Sequence, residues 1–360
     1  MNKKQLILAT AALVTTTAAL ADISMYGTAH VDLRLNEPAS NATLNSNNSI
    51  LGFKFTTDLS GLKAYFKHNV VVSGIDSEDD QFLNGTDTSY LSLQGRLGTL
   101  RLGLRDTPAT QAVGSVGNNH LPDSIVDFSQ VGFTEYNKTR SLAYETHPYA
   151  GFSMVFGGIS IEDADRSLFD SLSLGLMYNE GNGLKLGLGY EKLDSHDIIS
   201  IVNTLEKNGV NPDLTNQDSK ISLLQLAASY TFDNLTIGAQ LEQIENALGS
   251  AGNTSKYGLI PQEGVDRTIA GVSIKNVSGK NTFSLSMGTE KIERGNNEAT
   301  HHFTGIAYSR AFTQHFNAYI AFRNKYGNAT KLTNAISTNL VDVSSLAKER
   351  NLAIGMMYQF

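Results

Sequence analysis

Basic side chains recur at alternate positions in several short segments of the chain, the spacing that places side chains on one face of a strand. The clearest set is Lys54, Lys67, Arg101 and Arg105. Side chains of this kind make no bond to a substrate, but a row of them creates an electric field that orients polar solutes and concentrates ions. The chemistry that these residues predict is therefore electrostatic.

Patterns typical of other chemistry are weak or missing. No Ser/His/Asp set is recognisable, and GNGLKLG at 181–187 lacks the helix that follows a phosphate-binding loop. The adjacent His301 and His302 point to opposite sides of a strand, so they cannot share a metal ion. The acidic run SEDD at 77–80 fits Ca²⁺, although a solvated loop is the simpler interpretation. The sequence predicts no enzyme, no cofactor and no bound metal.

Strands are the elements that must position the basic set. In DISMYGTAHVDLRL at 22–35, apolar and small residues alternate with polar ones, whereas a helix would place Asp32 and Arg34 in its apolar stripe. The same alternation along the chain predicts sixteen strands. They span residues 22–35, 49–58, 61–73, 87–95, 98–106, 139–146, 151–158, 170–179, 184–191, 220–232, 235–243, 266–275, 281–290, 301–309, 315–325 and 349–360.

The connections between these strands alternate between long and short. DLSG at 58–61 and Asp233-Asn234 are examples of the tight links. Connections longer than a turn are predicted at 36–48, 74–86, 107–138, 159–169, 192–219, 244–265, 291–300 and 326–348. This arrangement is typical of outer-membrane barrels, which have short periplasmic turns and long extracellular loops. The predicted fold class is all-β, a transmembrane antiparallel β-barrel of sixteen strands in one domain, residues 22–360.

The first residues read as a secretory signal. Lys3 and Lys4 precede an uncharged, mostly apolar run, and Ala19-Leu20-Ala21 fits the A-x-A cleavage pattern. We predict that residues 1–21 are a signal peptide that is cleaved. Its removal changes the net charge from −7 to −9, with 26 basic and 35 acidic residues left. An acidic secreted chain argues against nucleic acid as a partner, and the absence of Cys excludes disulfides as the source of stability.

Alternation alone fits a soluble sandwich as well as a membrane barrel, so the distribution of side chains has to decide between them. The polar face carries Lys, Arg, Glu, Gly and Ser along whole strands, which suits a water-filled lumen. Sixteen strands also enclose more space than side chains can fill. Aromatic residues gather near the short-turn ends, like the girdle at a membrane interface. They are Tyr149, Phe152, Tyr178, Tyr230, Phe232, Tyr308, Phe312, Phe316, Tyr358 and Phe360.

Five segments, in order and over the full mature length, resemble one family. They are DISMYGTAHVDL, LGFKFTTDLSGLKAYF, GRLGTLRLGLRDTP, RSLAYETHPYAGF and AIGMMYQF. Together they are similar to the Gram-negative trimeric general porins, which form outer-membrane channels. The chain departs from the family where Ile50 and Leu51 replace a usual Arg before a Gly, and where Leu104 separates Arg105 from the Gly before it. We therefore expect a pore without the family's usual charge pattern.

The resemblance implies that the third long loop, about 107–138, folds into the barrel and narrows it. The acids of that loop are Asp123, Asp127 and Glu135, and they would face the wall formed by Lys54, Lys67, Arg101 and Arg105. The resemblance also implies a homotrimer. The small, outward-facing Gly27 and Ala29 of the first strand would allow its subunits to pack closely. Lipid, lipopolysaccharide and the outer-membrane assembly machinery are the other partners that it implies.

The final strand, NLAIGMMYQF, has a role of its own in this interpretation. It must pair with the first strand to close the barrel, so that both ends meet on the periplasmic side. A salt bridge between the Phe360 carboxylate and the amino group freed at Asp22 would fasten that closure. An alternating strand that ends in Phe360 is also similar to the signal that the assembly machinery reads.

The predicted function is passive diffusion of small hydrophilic solutes and ions through a water-filled channel. The alternative is a solute-specific channel for sugars or anions, in which pore-facing Tyr26, Tyr65 and Tyr90 supply stacking surfaces. A third possibility is an enzyme or adhesin built on a barrel. The acidic chain favours cations whereas the basic wall favours anions, so the sequence leaves the ion preference open.

Overall fold

A computed structural model gives the fold of the chain, and it describes residues 22–37, 41–45, 49–72, 83–117, 138–160, 171–193, 221–249, 259–261, 265–294, 297–327 and 348–360. Neighbouring strands pair in antiparallel fashion around a complete circuit, and the circuit closes where the last strand pairs with the first. The prediction of a closed sixteen-strand barrel is confirmed. The predicted signal peptide, residues 1–21, lies outside the described residues.

The strands agree with the predicted segments to within a few residues at most ends. The barrel strands are β1 (Asp22–Glu37), β2 (Asn41–Asn45), β3 (Ile50–Leu59), β4 (Leu62–Val72), β5 (Leu83–Gln94), β6 (Gly98–Asp106), β7 (Lys138–Thr146), β8 (Phe152–Ser160), β9 (Ser171–Asn179), β10 (Leu184–Leu193), β11 (Ile221–Phe232), β12 (Leu235–Glu245), β15 (Val265–Ser278), β16 (Asn281–Arg294), β17 (Asn297–Ala311), β18 (Phe316–Gly327) and β19 (Lys348–Gln359). The described parts of the connections contain a small hairpin, β13 (Ala247–Gly249) with β14 (Leu259–Pro261), and the helix α1 (Pro108–Gly117).

The second position of the barrel is filled by two strands, because β2 pairs with the upper part of β1 and β3 with its lower part. Strand β2 was not predicted, because its residues fall in the long connection expected at 36–48. Ser49 repairs the ladder between the two pieces: its Oγ accepts from the His30 N–H at 2.9 Å and donates to the His30 carbonyl at 3.1 Å. One hydroxyl thus satisfies a backbone donor and acceptor that the break would leave unpaired.

The seam of the barrel runs between β1 and β19, in a register that pairs Thr28 with Gln359. Beyond it, Gly27 and Phe360 exchange two backbone hydrogen bonds of 3.0 and 3.1 Å, and the Phe360 ring covers the space that a Cβ of Gly27 would need. Asp22 pairs with Thr56 of β3 instead. Five residues of β1, or about 16 Å, separate it from Gly27, so the predicted salt bridge between Asp22 and Phe360 is not formed.

The inner face of the seam is fastened by side chains that reach across β19. Tyr319 of β18 lies against Gly355, where a Cβ would collide with its ring. Its hydroxyl donates to Asp32 Oδ2 at 2.9 Å and lies 2.9 Å from His30 Nε2, both on β1. Asp32 also accepts from Arg34 Nε at 3.0 Å. The side chains therefore connect three consecutive strands at the point where the barrel closes.

Short turns join the strands at the end where β1 begins and β19 ends. Ser60 and Gly61 form a two-residue turn with φ of 48° and 97°, and Asp233 has a φ of 49° in a second one. Two positive φ values in succession match the right-handed twist of the flanking strands, and the second falls on Gly, which bears it without strain. One expected long connection is wrong: β16 and β17 extend through most of 291–300, which leaves only 295–296 between them.

Alternation separates a wet inner face from an apolar outer face. Outward Met25, Leu102 and Ile354 are each more than half exposed, whereas inward Ser92 is buried. The aromatic residues expected near the short turns do lie there on the outside, with Tyr230 stacked on Phe232. No helix within the described ranges is long and apolar enough to span a membrane.

We expect the hydroxyl of Tyr319 to stabilise the closed barrel. Tyr319→Phe keeps the ring against Gly355 but leaves the Asp32 carboxylate without one donor, which costs about 1–3 kcal/mol. The free energy of unfolding, measured by urea titration in lipid vesicles, should fall by that amount. Tyr326→Phe, an outward tyrosine on the same strand, is the control and should change little. Equal effects of the two substitutions would contradict the role of the seam.

Candidate functional site

The predicted basic residues lie on the inner face of neighbouring strands. Lys54 of β3 stands directly opposite Lys67 of β4. Arg101 and Arg105 follow on β6, at inward positions two strands farther along. Side chains opposite each other in an antiparallel pair have Cβ atoms about 5 Å apart, so two like charges in these positions repel. Neither Lys54 nor Lys67 makes a salt bridge with a described carboxylate.

Tyrosine rings hold these cations against the wall. Lys54 Nζ lies 5.3 Å from the centre of the Tyr65 ring, and Lys67 Nζ lies 5.8 Å from that of Tyr26. The Arg105 guanidinium lies 5.9 Å from the centre of a third ring, that of Tyr90. Each arrangement is a cation–π contact, which attracts the cation without neutralising its charge. The lysines are thus oriented while their field still extends into the lumen.

The two arginines have different partners. Arg101 donates to Glu145 of β7 and, from Nε, to the Tyr65 hydroxyl at 3.4 Å. Arg105 is buried and donates to Gln111 Oε1, while Gln111 Nε2 donates to Glu145 Oε2 at 3.1 Å. Gln111 belongs to α1, so its side-chain amide links the helix to the Arg105 cation and to the Glu145 carboxylate. Because the amide is neutral, it leaves both charges in place.

Helix α1 lies inside the barrel, against the inner faces of β9, β10 and β11. Its apolar side is fully buried, and Val113 and Val116 pack on Ala227 of β11. Three inward glycines make this close approach possible. A Cβ at Gly175, Gly187 or Gly189 would meet the backbone of α1 itself, at Pro108, Ala112 and Ala109 respectively. The wall is flat at these three positions because glycine has no side chain.

The start of α1 is fixed by hydroxyl groups and a buried carboxylate. Thr107 caps the helix, since its Oγ1 accepts from the Thr110 N–H at 3.3 Å. The Ala109 N–H donates to Ser173 Oγ at 2.9 Å, and that hydroxyl donates in turn to Glu191 Oε1 at 2.9 Å. Glu191 is fully buried below the first turn. A carboxylate at a helix N-terminus is favourable, because the first N–H groups carry partial positive charge.

The acids expected to face the basic wall are Asp123, Asp127 and Glu135, and they lie outside the described residues, in 118–137. The sequence analysis missed Glu145 and Gln111. Glu145 had a signal, because it alternates with other inward residues in SLAYET, but its neighbours on other strands are not visible in one sequence. Gln111 had none, since the helix that carries it was not assigned.

A second charged cluster lines the lumen on β15 to β18. Glu290 is buried between Arg267, 2.6 Å away, and Lys325, 3.3 Å away. His301 Nδ1 lies 3.6 Å from the same carboxylate. Here a carboxylate compensates the cations, in contrast to Lys54 and Lys67. The two clusters show that charge pairing varies around the lumen.

The inner face as a whole is more basic than the chain. Among the described strands, basic side chains at inward ladder positions outnumber acidic ones. The basic ones are Arg34, Lys54, Lys63, Lys67, Arg101, Arg105, Lys185, Arg267, Lys275, Arg323 and Lys325. The acidic ones are Asp22, Asp32, Asp58, Glu145, Glu191, Glu242 and Glu290. The net acidity of the chain therefore does not describe its lumen.

A barrel with a wet, charged lumen, an apolar outer face and one helix folded against the inside wall has clear relatives. The sequence profile of the family described as Gram-negative porin matches residues 9–330. The chain belongs to the Gram-negative porin family. This porin is an outer-membrane channel, as the resemblance implied. No curated protein sequence matches it.

Solved porin structures share the fold at low sequence identity. This porin superposes on OmpT of Vibrio cholerae in its trimer form with a TM-score of 0.67 and 14% identity, covering 95% of this chain and 100% of that one. An anion-selective porin from Comamonas acidovorans superposes with a TM-score of 0.64 and 17% identity, covering 94% of this chain and 100% of that one. OmpF of Salmonella typhi in complex with daunomycin superposes with a TM-score of 0.64 and 13% identity, covering 94% of this chain and 97% of that one. Identities this low establish the common fold alone.

We expect the glycine floor to set how far α1 reaches into the lumen of this porin. In Gly187→Val the new Cβ would lie 2.5 Å from the Ala112 carbonyl oxygen. A normal contact needs about 3.5 Å, so the helix should shift inward by about 1 Å and lower the single-channel conductance. Ala318→Val also introduces a valine, on the outer face of β18, and should leave the conductance unchanged. An unchanged conductance for Gly187→Val would contradict this role.

Proposed function

We propose that this porin conducts small hydrophilic solutes and ions by passive diffusion, with a preference for anions, and that it performs no catalysis. The observation that carries the proposal is the Lys54–Lys67 pair, two like charges that face each other on the lumen wall without a described carboxylate partner. Such a pair costs folding free energy. An anion that passes along the wall relieves this repulsion, which lowers its free energy there relative to that of a cation.

The position of the pair supports a role in permeation. Tyr65 connects Lys54 to Arg101, because Lys54 lies over its ring and Arg101 donates to its hydroxyl. Gln111 connects Arg105 to α1, which narrows the lumen from the other side. We propose that the loop that begins with α1 is the constriction, and that its acids at 118–137 complete a transverse field across the lumen. A field of this kind orients polar solutes without a tight site.

The alternative function is a channel specific for one class of solute, and the same contacts reduce the solute classes that would fit it. Sugars would need open ring faces on Tyr26, Tyr65 and Tyr90, but a cation already lies over one face of each ring. Retention of anions is therefore the version of this alternative that the wall supports. It would show as saturation of the conductance with rising concentration of one anion, whereas diffusion gives a linear rise.

The reversal potential in a salt gradient tests the preference. The wild-type channel should select anions, and Lys54→Met with Lys67→Met should lower the anion-to-cation permeability ratio by about tenfold at low salt, because wall charges of this kind raise local counter-ion concentration by roughly 10-fold or more. The effect should fade at high salt, where the charges are screened.

Lys63→Met is the matched control for that experiment. Lys63 also faces the lumen, but it lies beside the periplasmic turn and opposite Asp58. Its removal should change the ratio much less than the double substitution does. A wild-type channel that selects cations, or equal effects of Lys63 and the pair, would refute the proposed preference while leaving the diffusion channel in place.

We further propose that the barrel is a homotrimer that packs through the sector from β1 to β6. Outward His68 of β4 lies about seven residues from its turn, stacked on Phe66 at 6.2 Å and opposite Phe53. A polar ring at that depth is costly in lipid but acceptable against protein. The turns of this sector also carry exposed Leu59, Leu62 and Leu97, where other sectors carry aromatic residues. Gly27 is covered by Phe360 and no longer supports close packing of subunits.

A larger side chain at position 68 should weaken the contact between subunits. His68→Trp is expected to lower the temperature at which trimers dissociate in mild-detergent gels, because the larger ring has no space between packed copies. Ile320→Trp, on the outer face of β18, contacts only lipid and should leave trimers intact. A wild-type protein that migrates as a monomer, or variants that dissociate alike, would contradict the trimer or its placement.

The remaining partners are proposals that rest on the family resemblance. They are lipopolysaccharide at the extracellular rim and the outer-membrane assembly machinery, which would read the final strand that ends in Phe360. The solved trimer form of OmpT, which shares the fold, supports the proposed oligomer.

A further inference from the structure

An apolar groove crosses the outer face of β9 to β12, and its volume is about 480 Å³. Its floor is formed by Ala228 and Ala239, which face each other across β11 and β12. Larger side chains border the floor, with Leu186 beside Ala228, and Leu226 opposite Leu241 in the row above. The groove exists because two neighbouring strands carry methyl groups where the strands on either side carry Leu186 and Val272.

The groove lies on the lipid side of the wall. Its leucines alternate with inward Gly187 and Ala227, which pack against α1 on the other side. Its floor is five residues above the turn at 233–234, and one end is bordered by Tyr178 and Phe152 of the aromatic girdle, whose rings lie 4.8 Å apart. The space is therefore level with the acyl chains of the periplasmic leaflet, and it opens toward the headgroups.

The charges beside that opening are acidic. Glu180 lies in the turn between β9 and β10, exposed, and accepts from the Tyr178 hydroxyl at 2.7 Å. Asp233 lies exposed in the turn between β11 and β12. Neither makes a salt bridge with a described residue. Two other turns carry a basic side chain: Arg96 lies in one, and Lys280 lies in another and donates to the Phe312 carbonyl.

We propose that this groove is a phospholipid site, which holds one acyl chain between β9 and β12 and selects a headgroup with a primary ammonium. A volume of this size is within the range of small-molecule pockets, roughly 300–1,000 Å³. The acyl chain is retained because it makes van der Waals contacts in a depression that lipids packed along a flat protein surface would leave partly empty. The ammonium of an ethanolamine headgroup carries both the charge and the N–H donors that Glu180 and Asp233 can accept. A glycerol headgroup carries neither and brings a net negative charge to two carboxylates.

Native mass spectrometry of the detergent-purified barrel tests the site. Dioleoyl phosphatidylethanolamine and dioleoyl phosphatidylglycerol are the two lipids titrated, and the lipid retained per subunit is counted. The wild type should retain one phosphatidylethanolamine in preference to phosphatidylglycerol. Ala239→Leu fills the floor and should weaken this retention by about tenfold, whereas Ala318→Leu adds the same side chain to the lipid face of β18 and should not. Equal retention by these two variants would overturn the groove as the site.

The headgroup half of the proposal has its own variant. Glu180→Gln with Asp233→Asn leaves the groove unchanged and should reduce the preference for phosphatidylethanolamine over phosphatidylglycerol by about 30-fold, since each of the two charges near a membrane surface is worth about 1 kcal/mol. A wild type that retains both lipids equally, or a preference that survives loss of both acids, would overturn the selection. Conductance should be unchanged in all of these variants, so the result does not depend on the permeation proposal.

Discussion

Every backbone N–H and C=O in hydrocarbon must find a partner within the protein, and the rest of this structure depends on how the chain meets that requirement. A sheet meets it only if its two edges pair with each other, as β1 and β19 do here. Where the ladder is interrupted, side chains replace it: Ser49 supplies both bonds to His30. The seam is then reinforced from inside by Tyr319, which the missing side chain of Gly355 admits. Closure, repair and reinforcement are therefore parts of one solution.

With the backbone satisfied by the barrel, side chains on the inner face are available for function. Charge there is treated in two ways. Glu290 lies among compensating cations, whereas Lys54 and Lys67 are held by aromatic rings that leave their charge intact. Gln111 connects the two kinds of site, because its neutral amide bonds both to Glu145, which is paired with Arg101, and to Arg105, which lies over a ring. The result is a lumen whose field is stronger on one wall than the composition of the chain suggests.

Much of this architecture could be predicted because alternation is a local signal with a period of two. It located all sixteen barrel positions and the inward direction of Lys54, Lys67, Arg101 and Arg105. It failed where the decisive contact is distant in sequence. The pairing of Phe360 with Gly27 rather than with Asp22 depends on the register between strands at opposite ends of the chain, and register is not visible in either strand alone. Helix α1 was missed because its floor of glycines belongs to other strands.

The contact between Gly27 and Phe360 also orders events in time. It joins residues separated by nearly the whole chain, so the loop that must close before it forms is the longest one available. All other ladders can form between strands that are neighbours in sequence, but the free edge of β1 stays unpaired until β19 has been synthesised and delivered. During that interval the protein exposes an edge that any passing strand could extend. The seam is thus where a newly made copy is most exposed to mispairing, and an escort that covers β1 until β19 arrives would act at that point.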